Sequence, residues 1–459
     1  MFNDTSNLPT LKEIEENLFH ELQVVYQTAL VSILEEVDLW LMENRDYNRF
    51  ENREKQKCSI GTMFGPVTIN RRRYVDREKG ERVALLDKYL EFSGSETLSP
   101  FLTEMAVHWA VRGPSYRDAR DRFCDLLGYQ AMSHEKIRQE VLKIEPKEIE
   151  MTEEEPKKVD ALFLEVDGLF VSKQQSTRKN REVKIGVAHE GWNKRHPSSE
   201  EYKLVNKSYW KTLENGETFW ESFSRYLYTE YDITEDTHIV INGDGAPWIR
   251  AGVDYFPNAI YTYDRYHLKK WIKQALSNRE KQERRKAYLA ADANDPVKLV
   301  TAIAEAEKAE IDEKKKEDIS DLRLFILDNL EAFKDYREIL KEKGVDVSEM
   351  RPMGAAESNM NLFSRRVKKM GYSWSQKGLK GMINSMIHWF EGTLSETIKN
   401  AMESTPTEKE PIEYPSLATL LTQKTTQSVG AIQGQMPAIS SNDQGKPYVK
   451  ALKSLAGLT

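Results

Sequence analysis

The chain has 459 residues, 39% hydrophobic, 10% aromatic and 31% charged, and 67 Lys+Arg against 74 Asp+Glu leave a formal net charge of −7. That length suggests about three domains with cores that need no covalent staples. The acidic balance excludes a globally basic nucleic-acid-coating protein but leaves a local basic stripe open, because steering depends on where charges sit. Cys58 and Cys124 are too few for a disulfide framework or a Cys-rich zinc site. No apolar run approaches the ~18 residues of a membrane span. The start, MFNDTSNLPTLKEIEENLF, is acidic rather than basic-then-apolar. The expectation is a soluble, cytoplasmic protein without a membrane partner.

Residues 1–97 read as a helix followed by a β-hairpin. Leu11, Ile14, Leu18, Leu22, Val25, Ala29, Ile33, Val37 and Leu41 recur at three- and four-residue steps, predicting an amphipathic helix from Leu11 to about Arg53. In CSIGTMFGPVTINRRRYVD, Gly61 and Gly65-Pro66 are turn signals and Val67/Ile69 alternate with polar residues. Arg71, Arg72 and Arg73 follow, either as a solvated strand edge or as phosphate contacts.

Residues 98–146 predict three short helices, Pro100–Val111, Tyr116–Leu127 and His134–Ile144. Ser115 with Asp118 has the form of a capping box, and Ser133 suits an N-cap. The link through Gly128 has the length of a helix-turn-helix corner, so the trio is either a packing unit or a DNA reader.

The acidic, proline-containing stretch 147–160 reads as a linker. Behind it, 161–171, 182–192, 203–210, 237–249 and 259–272 carry β-rich runs, with a helix near Thr218–Tyr231. This mixed α/β region (161–272) gives way to a Lys/Glu/Arg-rich helical block at 273–350, with apolar residues at Leu324, Leu327, Leu330, Phe333 and Leu340. An ordered pattern resumes at 351–400. Residues 401–459 form a polar tail, expected to be mobile or loosely docked.

Three acids stand out by context. Asp167 lies inside the apolar strand FLEVDGLFV, where a carboxylate is costly unless something pairs with it. Asp244 lies in INGDGAPW, at a strand exit, and Glu357 in GAAESNM, at a helix start. Singly, each has an ordinary turn or helix-terminus explanation. Jointly, two strand-borne Asp and one helix-borne Glu can converge at one end of a sheet, where crowded carboxylates call for cations. Hard oxygen ligands select Mg²⁺ or Mn²⁺. Two such ions ~4 Å apart suit in-line displacement at phosphorus.

The segments EVDG, INGDGAPWI, YDRYHLKKW and GAAESNMNLFSRRVKKMGYSWSQKGLKGM, with the hairpin IGTMFGPVTINRRRYVD, resemble bacterial insertion-sequence transposases of the ISLre type. These are grouped as an uncharacterised protein family among the DDE transposases, with Mutator-like relatives. The resemblance implies an α/β fold: a ribonuclease-H-like mixed-sheet core interrupted by an all-helical insertion, behind a mainly helical DNA-binding region with a small β-hairpin. It implies a catalytic, metal-holding triad of Asp167, Asp244 and Glu357 with two Mg²⁺ ions, for which Mn²⁺ can substitute. Asp264 and His267 match an Asp-x-x-His signature, read either as a structural pair or as residues orienting a metal-bound group. His189 and His196 lack metal-ligand spacing and are expected to do no chemistry.

From Asn361 to Gly381 the chain carries Arg365, Arg366, Lys368, Lys369, Lys377 and Lys380 and no acid. Directly behind the expected catalytic Glu, that run reads as phosphate positioning, with Arg365 and Lys369 on one helix face. Tyr372 and Trp374 would either stack on an unpaired base or belong to the core. The resulting expectation is a nucleoid-associated transposase that cuts double-stranded DNA at the element's terminal inverted repeats and joins it to target DNA as a homo-oligomer. A metal-dependent nuclease without joining and a non-enzymatic helix-turn-helix protein are the alternatives.

Overall fold

The computed structural model describes residues 9–90, 98–149, 155–174 and 180–402; the polar tail lies outside them. The chain divides into two units, residues 1–144 with 395–459, and residues 145–394. Among the described residues, no helix is long and apolar enough to cross a membrane.

In the first unit, helix α1 (Leu11–Asn44) packs on a three-stranded antiparallel sheet of β1 (Phe50–Thr62), β2 (Gly65–Asp76) and β3 (Glu81–Val83), with α2 (Leu85–Tyr89) beside it. Leu34, Val37 and Leu41 of α1 meet Cys58, Ile60, Val67 and Ile69 from the hairpin. Each such burial contributes roughly 1.5–3 kcal/mol. The helix stops nine residues short of the expected Arg53. Arg45 turns extended, and residues 50–53 enter β1, where Phe50 and Glu51 pair with Asp76 and Val75. The next three helices are α3 (Pro100–Arg112), α4 (Tyr116–Leu127) and α5 (His134–Val141). Ser115 Oγ accepts from the Asp118 N–H at 3.0 Å, which gives the cap without the reciprocal half of a box. Ser133 caps α5 in the same way, and Gly128 ends α4 in the left-handed region at φ 74°.

The second unit holds β4 (Ala161–Ser172), β5 (Asn180–His189), the short pair β6 (Trp192–Lys194) and β7 (Tyr202–Leu204), β8 (Ser208–Thr212), α6 (Gly216–Glu230), β9 (His238–Gly243), α7 (Pro247–Arg250) and β10 (Ala259–Tyr263). The run expected at 203–210 is therefore two strands, broken at Asn206, which adopts φ 46°. Five strands form one mixed sheet in the order β10-β9-β4-β5-β8. β4 is antiparallel to β5, β5 to β8, and β9 and β10 run parallel to β4.

The period-two alternation of the central strands decides which residues share a face. Leu162, Leu164, Val166, Ile239 and Ile241 pack with Phe219, Trp220 and Phe223 of α6. On the opposite face, Ala161, Phe163 and Val240 meet Tyr336, Leu340 and Met353.

Behind β10 the chain enters helices α8 (Arg265–Ala275), α9 (Lys281–Asp292), α10 (Pro296–Ala309), α11 (Glu313–Asp328) and α12 (Tyr336–Glu342), with their own core around Ile303, Ile319, Leu322 and Ile326. The helical block thus begins at Arg265, inside the run expected as strand. Leu324 and Leu327, expected in its apolar set, are exposed, because α11 turns Leu322 and Ile326 inward instead. The chain returns in α13 (Ala356–Val367) and α14 (Gln376–Glu391); α15 (Leu394–Met402) belongs, from Ser395 on, to the first unit.

Candidate metal centre

Register alone brings the first two acids together. Glu165 pairs with Asn242, and Tyr263 with Gly243. One or two residues on, Asp244 and Asp264 follow the ends of β9 and β10, and Asp167 stands in mid-β4 just past the last residue paired with β9, so the three acids meet where the parallel pairing stops, the usual ligand-binding edge of such sheets.

Asp167, Asp244 and His267 each offer a ligand atom within 4.8 Å of the others. Asp167 is 8% exposed and accepts the Gly168 N–H at 2.7 Å. Burial pushes its carboxyl up to about 6; His267 and the Gly168 N–H oppose this, and Asp244 and Asp264 add to it. Asp244 opens a turn by accepting the Ala246 N–H at 2.9 Å. Gly245 follows at φ 90°, where an added Cβ would stand 2.7 Å from the Tyr263 ring, so only glycine fits.

Asp264 is the N-cap of α8 and lies 1% exposed. Its Oδ1 accepts from the His267 N–H at 3.0 Å and from His267 Nδ1 at 2.9 Å. Burial works to raise Asp264, but the His267 and Asn242 hydrogen bonds prevail and hold it below the usual carboxylate range. Burial likewise opposes charge on His267, yet the carboxylates of Asp264, Asp167 and Asp244 prevail and raise it. With Nδ1 donating to Asp264, Nε2 is the nitrogen left for a ligand, the arrangement common to metal-bound histidines. The structural reading of Asp264 and His267 as a hydrogen-bonded pair holds: one carboxylate oxygen both caps the helix and fixes the imidazole.

Two carboxylates and an imidazole suit a divalent cation, oxygen favouring Mg²⁺ or Mn²⁺ and the nitrogen tilting the choice towards Mn²⁺. Glu357 is not in this group. It lies half-buried in the first turn of α13, and its Oε1 accepts the Asn361 side-chain amide at 3.0 Å.

Sequence reasoning missed two buried residues beside the centre, Glu165 and Asn242. Glu165, two residues before Asp167 on the same face of β4, is wholly buried and accepts from Gly354, Ala355 and Ala356 N–H groups and from Asn242 Nδ2. The argument that flagged Asp167, a carboxylate in an apolar strand, applied equally to Glu165.

Several expected DNA contacts are corrected. Arg71 and Arg72 are buried, not solvated. Arg71 pairs with Asp87 of α2, while Arg72 Nη1 lies 2.6 Å from Asp38 of α1 and its N–H reaches the same carboxylate. Arg73 is half-buried on β2. Arg366 is 5% exposed and lies over the Trp374 ring, 5.4 Å from its centroid. Trp374 is itself buried. Its Nε1 donates to the Val367 carbonyl at 2.8 Å, and its backbone bridges to Ser172, so it belongs to the core and has no face for a base. Arg365, Lys368, Lys369, Tyr372, Lys377 and Lys380 are exposed. Lys369 lies past the last residue of α13, so it shares no helix face with Arg365; its Nζ reaches Asn361 at 2.7 Å.

Comparison with known sequences places the chain. Residues 4–403 match the family described as Uncharacterised protein family (UPF0236). A UPF0236 protein of Caldanaerobacter subterraneus subsp. tengcongensis, whose name joins eleven loci, is 27% identical over 382 residues, covering 83% of this chain and 76% of that protein. The UPF0236 protein in the vanSb 3′ region of Streptococcus gallolyticus is 26% identical over 405 residues, 85% of each chain. The chain belongs to the uncharacterised protein family UPF0236.

Proposed function

We propose that this chain is a DDE transposase of an ISLre-type insertion sequence, with Asp167, Asp244 and Glu357 as its acidic triad. The observation that carries the reading is the convergence of Asp167, Asp244 and His267 at the carboxyl edge of the central parallel strands. The sheet order supports a ribonuclease-H-like core: three antiparallel strands, then a helix, then two strands added parallel to the first. A relative whose name joins eleven loci fits a mobile element present in many copies.

The reaction class is in-line displacement at phosphorus. A water oxygen attacks the phosphodiester at the element end and releases its 3′-hydroxyl; that hydroxyl then attacks a target phosphodiester and releases the target's 3′-oxygen. Two Mg²⁺ or Mn²⁺ ions would supply water activation and neutralise the developing charge. Asp167 and Asp244 would hold both ions in place, Glu357 completing the site by turning from Asn361. His267, oriented by Asp264, would fix the first coordination sphere. Arg365, Lys368, Lys369, Lys377 and Lys380 would position phosphates, with Tyr372 the aromatic left to meet a base. Bringing two element ends together calls for a homo-oligomer on DNA.

The test is strand cleavage and transfer on duplexes carrying the DNA ends that flank the coding sequence, with Mg²⁺ or Mn²⁺. Joined products, lost in Asp167→Ala, Asp244→Ala and Glu357→Ala, are expected. Cutting without joining would leave a nuclease, and sequence-specific binding without chemistry a DNA-binding protein.

A further inference from the structure

We propose that Glu165 is a positioning residue: from strand β4 it caps helix α13 and thereby sets where Glu357 stands relative to Asp167. The inference rests on the reading of Glu357 as a triad member.

The first N–H groups of a helix need acceptors, and most long helices here find one next door. Asn215, Asp295, Asp312 and Ser375 cap α6, α10, α11 and α14 from the adjacent position. Helix α13 has no such residue; its N-cap is Ala355, without a side-chain bond. Its amides turn instead to a carboxylate about 190 positions earlier in the chain. Glu165 Oε1 accepts from Gly354 N at 3.0 Å and Ala355 N at 2.9 Å, and Oε2 from Ala356 N at 3.2 Å. Burial pushes the Glu165 carboxyl up, and the hydrogen bonds from Gly354, Ala355 and Asn242 oppose this; the ionised form they favour is also the favourable sign for the helix dipole.

Connectivity explains why such a tie is needed. Between β10 and α13 the chain makes the whole excursion through α8–α12, so no short loop fixes α13 against the sheet. Glu165 supplies the missing constraint from the strand that carries Asp167, two residues further on and on the same face. Glu357 follows Ala355 by two residues, so any shift of this helix start carries Glu357 with it.

The same carboxylate reaches the rest of the centre. Asn242 Nδ2 donates to Glu165 Oε2 at 2.6 Å and to Asp264 Oδ2 at 3.1 Å, and Asp264 holds His267. Thr262 Oγ1 donates to Asn242 Oδ1 at 3.2 Å, which fixes the amide with its nitrogen between the two acids. One continuous network therefore runs from the Glu357 helix to the imidazole beside Asp167 and Asp244. Four donors converge on Glu165, and a glutamine of equal size would point its own amide hydrogens at some of them.

The experiment compares wild type with Glu165→Gln, Glu357→Gln and the double variant, in the full chain. Hydrogen exchange reads the cap, and Mn²⁺ titration followed by electron paramagnetic resonance reads the site. In Glu165→Gln, exchange at residues 354–356 should quicken on the order of 10–100-fold, with the amides of α6 unchanged. Mn²⁺ binding should weaken about 10–100-fold, as expected for loss of a residue that orients a ligand. The double variant should lose less than the sum of the two single losses, because part of the Glu165 effect runs through Glu357; a role independent of Glu357 would give fully additive losses. Glu165→Asp, which keeps the charge but is one methylene short, replaces the Gln variant if that fails to fold. Unchanged exchange would overturn the cap, and additive or absent losses of Mn²⁺ binding would overturn the positioning role. If Glu357→Gln itself bound Mn²⁺ as wild type does, the triad assignment would fail, while the exchange data would still decide the cap.

Discussion

Replacing Asp264 by Asn exchanges one oxygen for an amide nitrogen at constant volume, so no cavity term enters. The carboxylate it removes is 1% exposed and takes three donors: the His267 N–H at 3.0 Å, His267 Nδ1 at 2.9 Å and Asn242 Nδ2 at 3.1 Å. The Asn oxygen can face His267 or Asn242 but not both. At least one hydrogen bond to a charged group is lost, about 1.5–3 kcal/mol, and two buried donors then face each other. The expected loss of stability is about 2–4 kcal/mol by urea denaturation. Proton affinity at His267 should fall, because the Asp264 hydrogen bond is the largest influence raising it. The His267 ring signals in an NMR titration would show this as a downward move of its midpoint. Mn²⁺ binding should weaken about 10–100-fold, since the imidazole would no longer be held in one orientation. Wild-type stability together with an unmoved His267 midpoint would refute the reasoning, for it would mean that the carboxylate neither caps α8 nor orients the ring.

Three further outcomes are expected. Asp38→Ala strands the buried Arg72 guanidinium and should destabilise the first unit by about 3–5 kcal/mol; Asp38→Leu with Arg72→Met, measured by the same denaturation, should recover most of it. Burial holds His189 down at about 3, so its protonation opposes folding. Stability from this residue is intact above about pH 6.5 and is lost as pH falls from there towards 3, by about 2 kcal/mol at pH 5. His189→Asn, which keeps an acceptor for the Gly191 N–H, should flatten that acid limb. The Asp167 carboxyl is raised to about 6, so a proton competes with a cation there and Mn²⁺ binding should weaken as pH falls through 6. Calorimetry in buffers of different ionisation enthalpy should record more than one proton released near pH 5.5, Asp167 and His267 both giving one up, and Asp167→Asn should remove most of the carboxyl's share; an unchanged count in that variant would mean that Asp167 is not a ligand.

The parts of the fold legible in the sequence are those governed by local pattern. The hairpin at Gly65, the helices at Tyr116 and Gly216 and the strands around Asp167 and Asp244 follow from turn residues, caps and apolar runs. Asp167 could be singled out because a carboxylate in an apolar strand needs a partner. What stayed hidden are the partners themselves. Arg71 and Arg72 looked like a free basic edge, since nothing local says that Asp87 and Asp38 sit opposite them. Trp374 looked available because its tie to Ser172 is formed across some two hundred residues. Residues 51–57 of β1 are largely exposed and show no alternation; their pairing with β2 makes them a strand. Glu165 met the same criterion as Asp167 and was passed over; only its three amide donors, far along the chain, were hidden.

Anomalous scattering from crystals soaked in Mn²⁺ tests the acidic centre most directly, beside the DNA assay. The expected result is two peaks ~3.5–4 Å apart, one between Asp167 and Asp244 with His267 in reach, the second touching Glu357 swung away from Asn361. No peak at the carboxyl edge of β4 and β9, or a single ion unaffected by Glu357→Ala, would contradict a two-metal transposase centre.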